Sequence, residues 1–255
     1  MAGVPLPPRN VEINTRPFED VELGGLAANV SYEPGTGPSF VSVTTARALE
    51  QRRVNDSDYS PADLLSVTYD EIFSQFSQEF RIVSPENASL RYVAGAYFLN
   101  DLAKTKRDAT IGQDLATPVP FPNGAVLPFA LFGLDAGSVT SIDGKIETQS
   151  ASLFVSIDYD VTDRLTVGLA GRYTDEEKTV RFDLDGSRSG GFRIGSVSDF
   201  SDTRSDSALT PALSLTYALN DEVNLYGRYA AGFKSGGWNL DFLNRNQASA
   251  DFSFD

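Results

Sequence analysis

Residues 151–178 read ASLFVSIDYDVTDRLTVGLAGRYTDEEK, and they decide the fold class because apolar and polar residues alternate on both sides of a short turn. On each side of the turn VTDR, one face is apolar and the other is nearly all polar or small. Period-two alternation around a turn predicts a β-hairpin. The apolar face holds Leu153, Val155, Ile157 and Tyr159 before the turn and Leu165, Val167, Leu169, Gly171 and Tyr173 after it.

The same pattern occurs three more times along the chain. Alternating segments flank a turn at PGTGP in residues 23–50, at SPENAS in residues 76–101 and at LNDE in residues 209–233. The 17 phenylalanines and 10 tyrosines of the chain also favour strands. Together these segments predict about eight antiparallel strands in four hairpins.

The connections between the strands are of two kinds. Turns within the hairpins are short, whereas the polar, Gly-, Pro- and Asp-rich segments between hairpins are long, at roughly residues 53–70, 108–144 and 183–206. Outer-membrane barrels have short periplasmic turns and long extracellular loops. The pattern therefore predicts an all-β fold, an antiparallel transmembrane β-barrel segment. A soluble β-sandwich or a repeat protein is the alternative.

The composition of the 255 residues narrows the possible functions. The chain has 21 basic and 35 acidic residues and a net charge of −14, so we expect no binding to nucleic acid. It has no cysteine and no histidine, which removes thiolate metal sites and the commonest catalytic base. The acidic pairs Asp158/Asp160 and Glu176/Glu177 are better explained as solvated strand residues than as acid and base. We therefore expect that the protein is not an enzyme and that it binds no cofactor.

Acidic residues in the segment 53–70 raise the question of a calcium site. The spacing of Asp56, Asp58 and Asp63 is superficially similar to a calcium-binding loop. The central glycine and the closing glutamate of such a loop are missing. A solvated loop is the preferred interpretation, and no metal site is predicted.

Three motifs resemble segments of one protein family. Residues 227–239, GRYAAGFKSGGWN, resemble a barrel segment of TonB-dependent outer-membrane receptors that precedes an extracellular loop. Residues 76–98 and 159–178 are similar to two other hairpins of these barrels, in the family's order. The resemblance implies a barrel of about 22 strands, an N-terminal plug domain and a short box that binds TonB. We therefore predict that residues 1–255 form a partial receptor β-barrel domain, without the plug domain and the terminal strands.

Two further expectations concern the extent of the protein. Eight strands can close a small barrel whose interior is filled by side chains, and this is the alternative architecture. The N-terminus MAGVPLPPRN lacks the basic and apolar regions of a signal peptide. If the protein is exported, we expect these residues to be part of a longer precursor.

The resemblance implies a function and a location. Receptors of this family import scarce nutrients, most often ferric siderophores, across the outer membrane of Gram-negative bacteria. The expected partners of the intact receptor are TonB, an extracellular small-molecule ligand and outer-membrane lipid. The alternatives are a non-transporting outer-membrane barrel for binding or adhesion, and a soluble secreted β protein.

Charged residues on the polar faces of the predicted strands are candidates for the barrel lumen. The alternation directs Arg172, Arg228 and Lys234 to the lumen, and it directs Glu79 and Arg81 to the same side. It directs Tyr229, Ala231 and Phe233 to lipid. A wide polar lumen accommodates such charges, whereas a narrow barrel must pair each one.

Candidate ligand contacts lie in the loops and at the end of the last hairpin. The order of residues in KSGGW is not that of a phosphate loop. We prefer to interpret this stretch as a strand exit with Trp238 or Phe233 at the membrane interface, and a ligand contact is the alternative. Exposed aromatic residues in the Pro-rich segment 108–144 are typical of a binding site. The candidate ligand-binding residues are Phe121, Phe129, Phe132, Lys234 and Trp238.

Overall fold

The computed structural model describes residues 12–116, 119–120, 126–127, 135–249 and 252–254. Strands dominate, with two single-turn α-helices, α1 (Gln113–Ala116) and α2 (Arg245–Ala248). In the described part of the chain no helix has the length and apolar character needed to cross a bilayer. The strands are β1 (Phe18–Tyr32), β2 (Ser39–Asp56), β3 (Leu65–Val83), β4 (Leu90–Ile111), β5 (Val119–Pro120), β6 (Val126–Leu127), β7 (Val139–Thr162), β8 (Leu165–Asp185), β9 (Val197–Ala218), β10 (Asn224–Ala230), β11 (Gly237–Trp238) and β12 (Ser253–Phe254).

The eight main strands form one antiparallel sheet in the order β1-β2-β3-β4-β7-β8-β9-β10. Among the described residues the edge strands β1 and β10 are not paired with each other. The sheet is therefore open and does not form the small closed barrel that was the alternative. Each edge presents backbone N–H and C=O groups that a neighbouring strand can pair with.

The four predicted hairpins are confirmed as β1–β2, β3–β4, β7–β8 and β9–β10. The turns of these hairpins contain residues that favour turns. Gly35 and Gly37 adopt φ angles of 83° and 87° in the first turn, a conformation that favours glycine. In the last turn, Asn220 Oδ1 accepts hydrogen bonds from the backbone N–H groups of Glu222 and Val223 at 2.9 and 2.8 Å, as in an Asx turn.

The predicted bounds of the long connections were wrong, because the strands continue further than the alternation indicates. The segments between hairpins are residues 57–64, 112–138 and 186–196. Strand pairing persists where the outer face is polar, and Ser141 Oγ donates a hydrogen bond to Asp108 Oδ1 at 2.7 Å across β4 and β7. Beyond the apolar stretches the outer face is polar too, so the period-two contrast weakens or, as with Val180, Phe182 and Leu184 of β8, passes to the opposite phase, although the backbone pairing continues.

One face of the sheet is apolar and exposed, and we call it the apolar face. The exposed fraction is 82% for the side chain of Leu26 and 68% for that of Leu209, which is unfavourable in water but suits lipid. The apolar stretch of β8 from Leu165 to Tyr173 is of the length, about 9–11 residues, that a tilted strand needs to cross the hydrocarbon layer. This face includes Leu26, Val30, Phe76, Phe80, Leu153, Val155, Leu169, Leu209, Leu213, Leu215, Leu225 and Tyr229.

A polar cluster lies within the apolar face and satisfies its own hydrogen bonds. Gln78 Oε1 accepts a hydrogen bond from Thr44 Oγ1 at 2.6 Å, and Gln78 Nε2 donates to Ser42 Oγ at 3.0 Å. In a bilayer, where water is absent, polar groups must find partners within the protein. The cluster is therefore compatible with a lipid-facing position.

The opposite face, which we call the polar face, carries small, hydroxyl-bearing and charged residues. Directly paired residues of an antiparallel sheet share a face, so the register places Ser152 beside Thr174 and Arg172 beside Thr210. Glu79 and Arg81 of β3 lie on this face as well, and their side chains form an ion pair.

The most buried apolar cluster lies on the polar face at the loop end of β7 and β8, where the chain after β10 folds back onto the sheet. We call residues 235–249 and 252–254 the C-terminal segment. Strands β11 and β12 pair within it, and Asn244 caps α2 with a capping box that includes Gln247. The buried cluster joins the sheet residues Ile142, Val180, Phe182 and Leu184 to Trp238 and Leu243 of the C-terminal segment.

Candidate functional site

Arg172 on β8 is held by aromatic and hydroxyl-bearing side chains of the polar face. Its Cζ lies 5.3 Å from the ring centroid of Tyr97 and 5.9 Å from that of Phe154. Its Nη2 donates a hydrogen bond to Ser152 Oγ at 2.9 Å, and its Nε donates to Thr174 Oγ1 at 3.3 Å. No described carboxylate lies within ion-pair distance, so part of the guanidinium is available to an anionic group.

Gly95 on β4 makes room for the aromatic platform under Arg172. A Cβ atom at this position would lie 2.6 Å from Phe154 Cζ and would also contact the carbonyl oxygen of Phe80. Only glycine therefore lets the Phe154 ring approach the β4 backbone this closely, in the position where Arg172 lies near it.

We expect Gly95→Ala to lower the free energy of unfolding by about 1–3 kcal/mol, because the added methyl group overpacks the site. Urea unfolding of the protein in lipid vesicles, followed by circular dichroism, measures this change. Gly171→Ala is the control, because nothing lies within 4 Å of a Cβ built there. Equal midpoints for the two variants would contradict the expected role of Gly95.

The structure does not bring Arg228 and Lys234 into the Arg172 site. Arg228 is exposed on β10 directly opposite Ser214. Lys234 lies beyond the end of β10, and its amine is 5.6 Å from the ring centroid of Phe254. The expectation that the strand runs through Phe233 was wrong, because β10 ends at Ala230 and the chain then turns onto the polar face.

Trp238 is buried in the cluster under the C-terminal segment, with only 6% of its surface exposed. The preferred sequence interpretation, an anchor at the membrane interface, is therefore wrong for Trp238. The glycine pair before it enters the same packing, because a Cβ at Gly237 would lie 3.1 Å from the Phe254 ring. Burial of a large aromatic surface in one cluster with Phe182 and Leu243 stabilises this position.

A half-buried ion pair joins the sheet to the C-terminal segment, and the sequence interpretation missed it. Glu176 and Lys178 on β8 form an ion pair at 3.0 Å, and both hydrogen-bond to Ser235 Oγ. Lys178 also donates to the Gly236 carbonyl at 3.0 Å. We expected both Glu176 and Glu177 to be solvated. Glu177 is exposed, but the side chain of Glu176 is only 16% exposed. Glu176 and Lys178 are an even number of residues from Arg172 on the same strand, so the alternation could have placed both on the polar face.

The acidic residues of the segment 57–64 and its flanks bind backbone groups. Asp56 is buried and accepts hydrogen bonds from the backbone N–H groups of Asn14, Thr15 and Tyr59. Burial alone would raise the pKa of Asp58, but hydrogen bonds from Ser60 and from the Leu65 backbone hold that pKa below its usual value.

The preferred solvated loop is therefore only partly correct, because Asp56 is 3% exposed. Asp63 accepts hydrogen bonds from the Asn14 side chain and the Gln113 backbone. No group of three or more acidic residues within the described ranges is arranged to hold a metal ion.

Three candidate ligand contacts, Phe121, Phe129 and Phe132, lie outside the described residues. The other two, Lys234 and Trp238, lie beside or within the C-terminal segment, at the loop end of the sheet. The polar face thus has one site around Arg172 and another region near the loops.

An antiparallel sheet with one lipid-compatible face, one polar face and turns and loops at opposite ends is a segment of a transmembrane β-barrel. A family model described as "TonB dependent receptor-like, beta-barrel" matches residues 7–253. The chain therefore belongs to the TonB-dependent receptors, as part of their β-barrel. The predicted fold class and the location in the Gram-negative outer membrane are confirmed.

One solved structure similar to the chain is the ferric yersiniabactin uptake receptor FyuA from Yersinia pestis. The TM-score is 0.68 and the sequence identity is 18%, over 88% of this chain and 30% of that chain. At this identity the similarity concerns the fold. The chain spans 30% of the length of the receptor it matches.

Proposed function

We propose that the chain is part of the barrel of a receptor that imports a ferric siderophore across the outer membrane, with energy supplied through TonB. The observation that carries the proposal is the polar face at Arg172, where an arginine without a carboxylate partner among the described residues lies close to two aromatic rings. Such a group suits an anionic or aromatic chelate that passes along the barrel wall. The similarity to FyuA, a ferric yersiniabactin uptake receptor, supports the substrate class.

In this proposal the loops capture the ligand and the polar face receives it. We assign ligand contacts to Phe121, Phe129 and Phe132 of the chain between β4 and β7 and to Lys234, since aromatic and cationic side chains suit a chelate of this kind. Trp238 acts indirectly, because its burial holds the C-terminal segment against the sheet. Capture is followed by rearrangement of a plug inside the barrel, driven through TonB. No residue of this chain is assigned to energy coupling.

The proposal is tested by uptake of radioactive iron presented as a panel of ferric siderophores to iron-starved cells of the native host. We expect deletion of the gene to abolish uptake of at least one chelate, and complementation to restore it. Deletion of tonB should abolish the same uptake but not surface binding. Surface binding without uptake in cells that have tonB would favour a non-transporting binding barrel. Uptake that does not require tonB would contradict the proposed energy coupling.

We expect Arg172→Gln to reduce uptake of the responsive chelate by about tenfold or more, because hydrogen bonds to charged groups contribute about 1.5–3 kcal/mol. Arg181→Gln is the matched control on the same strand, because Arg181 is exposed and its phase is that of the apolar face. Initial uptake rates at equal receptor levels in the outer membrane measure the effect. Equal rates for the two variants would remove Arg172 from the ligand path.

A further inference from the structure

A second arginine site lies on the polar face near the loop end of the sheet. Arg53 on β2, Tyr69 on β3 and Arg107 on β4 are directly paired across the three strands. Tyr97, at the Arg172 site, and Arg107 are about 33 Å apart along β4 at about 3.3 Å per residue. A small ligand therefore cannot contact both sites at once.

Tyr69 lies between the two guanidinium groups of this row. The Cζ atom of Arg53 is 4.2 Å from the Tyr69 ring centroid, and that of Arg107 is 5.5 Å from it. Both distances are within the range of cation–π interactions. Two like charges are thus held close to one ring, and their mutual repulsion is relieved when an anionic group binds.

The two arginines differ in how their charges are compensated. Arg107 forms an ion pair with Glu71 at 3.3 Å. Arg53 has no carboxylate within ion-pair distance among the described residues, and its Nε is a buried atom without a hydrogen-bond partner. Glu19 is directly opposite Arg53, but its Oε1 accepts a hydrogen bond from Gln51 Nε2 at 2.6 Å. A buried donor without a partner requires an explanation, and a bound group supplies one.

A carboxylate of the C-terminal segment already reaches the edge of this site. Asp241 lies 3.6 Å from Arg107 Nη1, and its side chain is 59% exposed. An ion pair this exposed contributes little to stability, so a stronger anion can replace it. The planar guanidinium groups of Arg53 and Arg107 match the two oxygens of a carboxylate or catecholate.

We propose that Arg53, Tyr69 and Arg107 form a binding site for the anionic donor groups of a ferric chelate, and that Asp241 competes with the chelate for Arg107. The inference rests on the proposed function and makes it more specific, since it selects anionic over uncharged chelates. Binding at this site displaces Asp241, so ligand capture weakens one attachment of the C-terminal segment to the sheet.

The test measures equilibrium binding of two probes to the full-length receptor purified from outer membranes in detergent. The probes are a trianionic ferric tris-catecholate and an uncharged ferric tris-hydroxamate, both labelled with radioactive iron. We expect Arg53→Gln and Arg107→Gln to weaken tris-catecholate binding by about tenfold or more, as for a lost charge-assisted hydrogen bond. Asp241→Asn should strengthen it several-fold because the competitor is removed. Binding of the tris-hydroxamate should be weaker and should not change in any variant.

The matched control is Arg52→Gln. Arg52 precedes Arg53 in the chain but faces the other side of the sheet, where it is 66% exposed and pairs with Asp70. Circular dichroism of each variant checks that the barrel is folded. The Asp241→Asn variant keeps the test decisive if an arginine variant does not fold, because a gain in affinity does not arise from misfolding.

The possible outcomes separate this inference from the proposed function. Tris-catecholate binding that does not change in Arg53→Gln and Asp241→Asn would overturn the site while leaving siderophore binding intact. An equal loss in Arg52→Gln and Arg53→Gln would also overturn it, because the effect would then be one of general charge. If neither probe nor any other ferric chelate binds the parent receptor, both the proposed function and this site are wrong.

Discussion

Replacing Leu213 with arginine should lower the free energy of unfolding of the protein in a lipid bilayer by about 2–4 kcal/mol, the cost of a cation near the bilayer midplane on a barrel's outer surface. Leu213 lies in the middle of the apolar stretch of β9, between Leu209 and Tyr217, and its side chain is 49% exposed. In a bilayer that exposed surface contacts acyl chains, which cannot solvate a guanidinium. Urea unfolding from lipid vesicles, measured by circular dichroism at several denaturant concentrations, gives the free energy.

Ser205→Arg is the control for this prediction. Ser205 lies on the same strand with the same alternation phase, but beyond the apolar stretch and directly opposite Glu177. An arginine there meets water and a carboxylate, so we expect little change in the free energy of unfolding. A similar loss of stability in the two variants would mean that the apolar face does not contact lipid at Leu213.

Replacing Trp238 with alanine should release the C-terminal segment from the sheet. Truncation of a buried tryptophan costs about 3–5 kcal/mol, and Trp238 contributes the largest side chain that this segment places in the buried cluster. Hydrogen exchange followed by mass spectrometry should show faster exchange of residues 235–249, whereas exchange in the middle of β7 and β8 should not change. The lost free energy destabilises the C-terminal segment alone, because β7 and β8 pair with each other without contributions from that segment.

Phe233→Ala is the control for the Trp238 prediction. Phe233 is in the same part of the chain but is 38% exposed and lies outside the buried cluster. We expect its exchange pattern to match that of the parent protein. If exchange of residues 235–249 is the same in Trp238→Ala and in the parent, the buried cluster does not hold the segment in place.

The Leu213 and Trp238 predictions concern two different surfaces of the sheet. The apolar face fixes the sheet in the membrane, whereas the C-terminal segment covers part of the polar face near the loops. Asp241 attaches this segment to the sheet through an exposed contact, and Ser235 attaches it through a half-buried one. Ligand capture near Arg107 therefore affects the weaker of these two attachments.

The sequence alone determined the hairpins and the two faces of the membrane-spanning strands. The apolar phase of Leu153 and Leu213 and the polar phase of Arg172 could be read from local alternation, because lipid and lumen impose opposite preferences on successive residues. The three motifs of the family resemblance also depend only on local sequence. The same reasoning failed beyond the membrane, where the outer face is polar and, in β8, the apolar residues Val180, Phe182 and Leu184 lie in the opposite phase under the C-terminal segment.

Only the tertiary structure decided what covers the polar face and which side chains meet there. Trp238 is the clearest example, because a tryptophan after a glycine pair is compatible with an interface, a loop or a core. Its burial depends on Ile142 and Phe182, which are far away in sequence. The row formed by Arg53, Tyr69 and Arg107 depends in the same way on the pairing of three strands. Local alternation fixes which face a side chain occupies, but only strand register and long-range packing fix its neighbours.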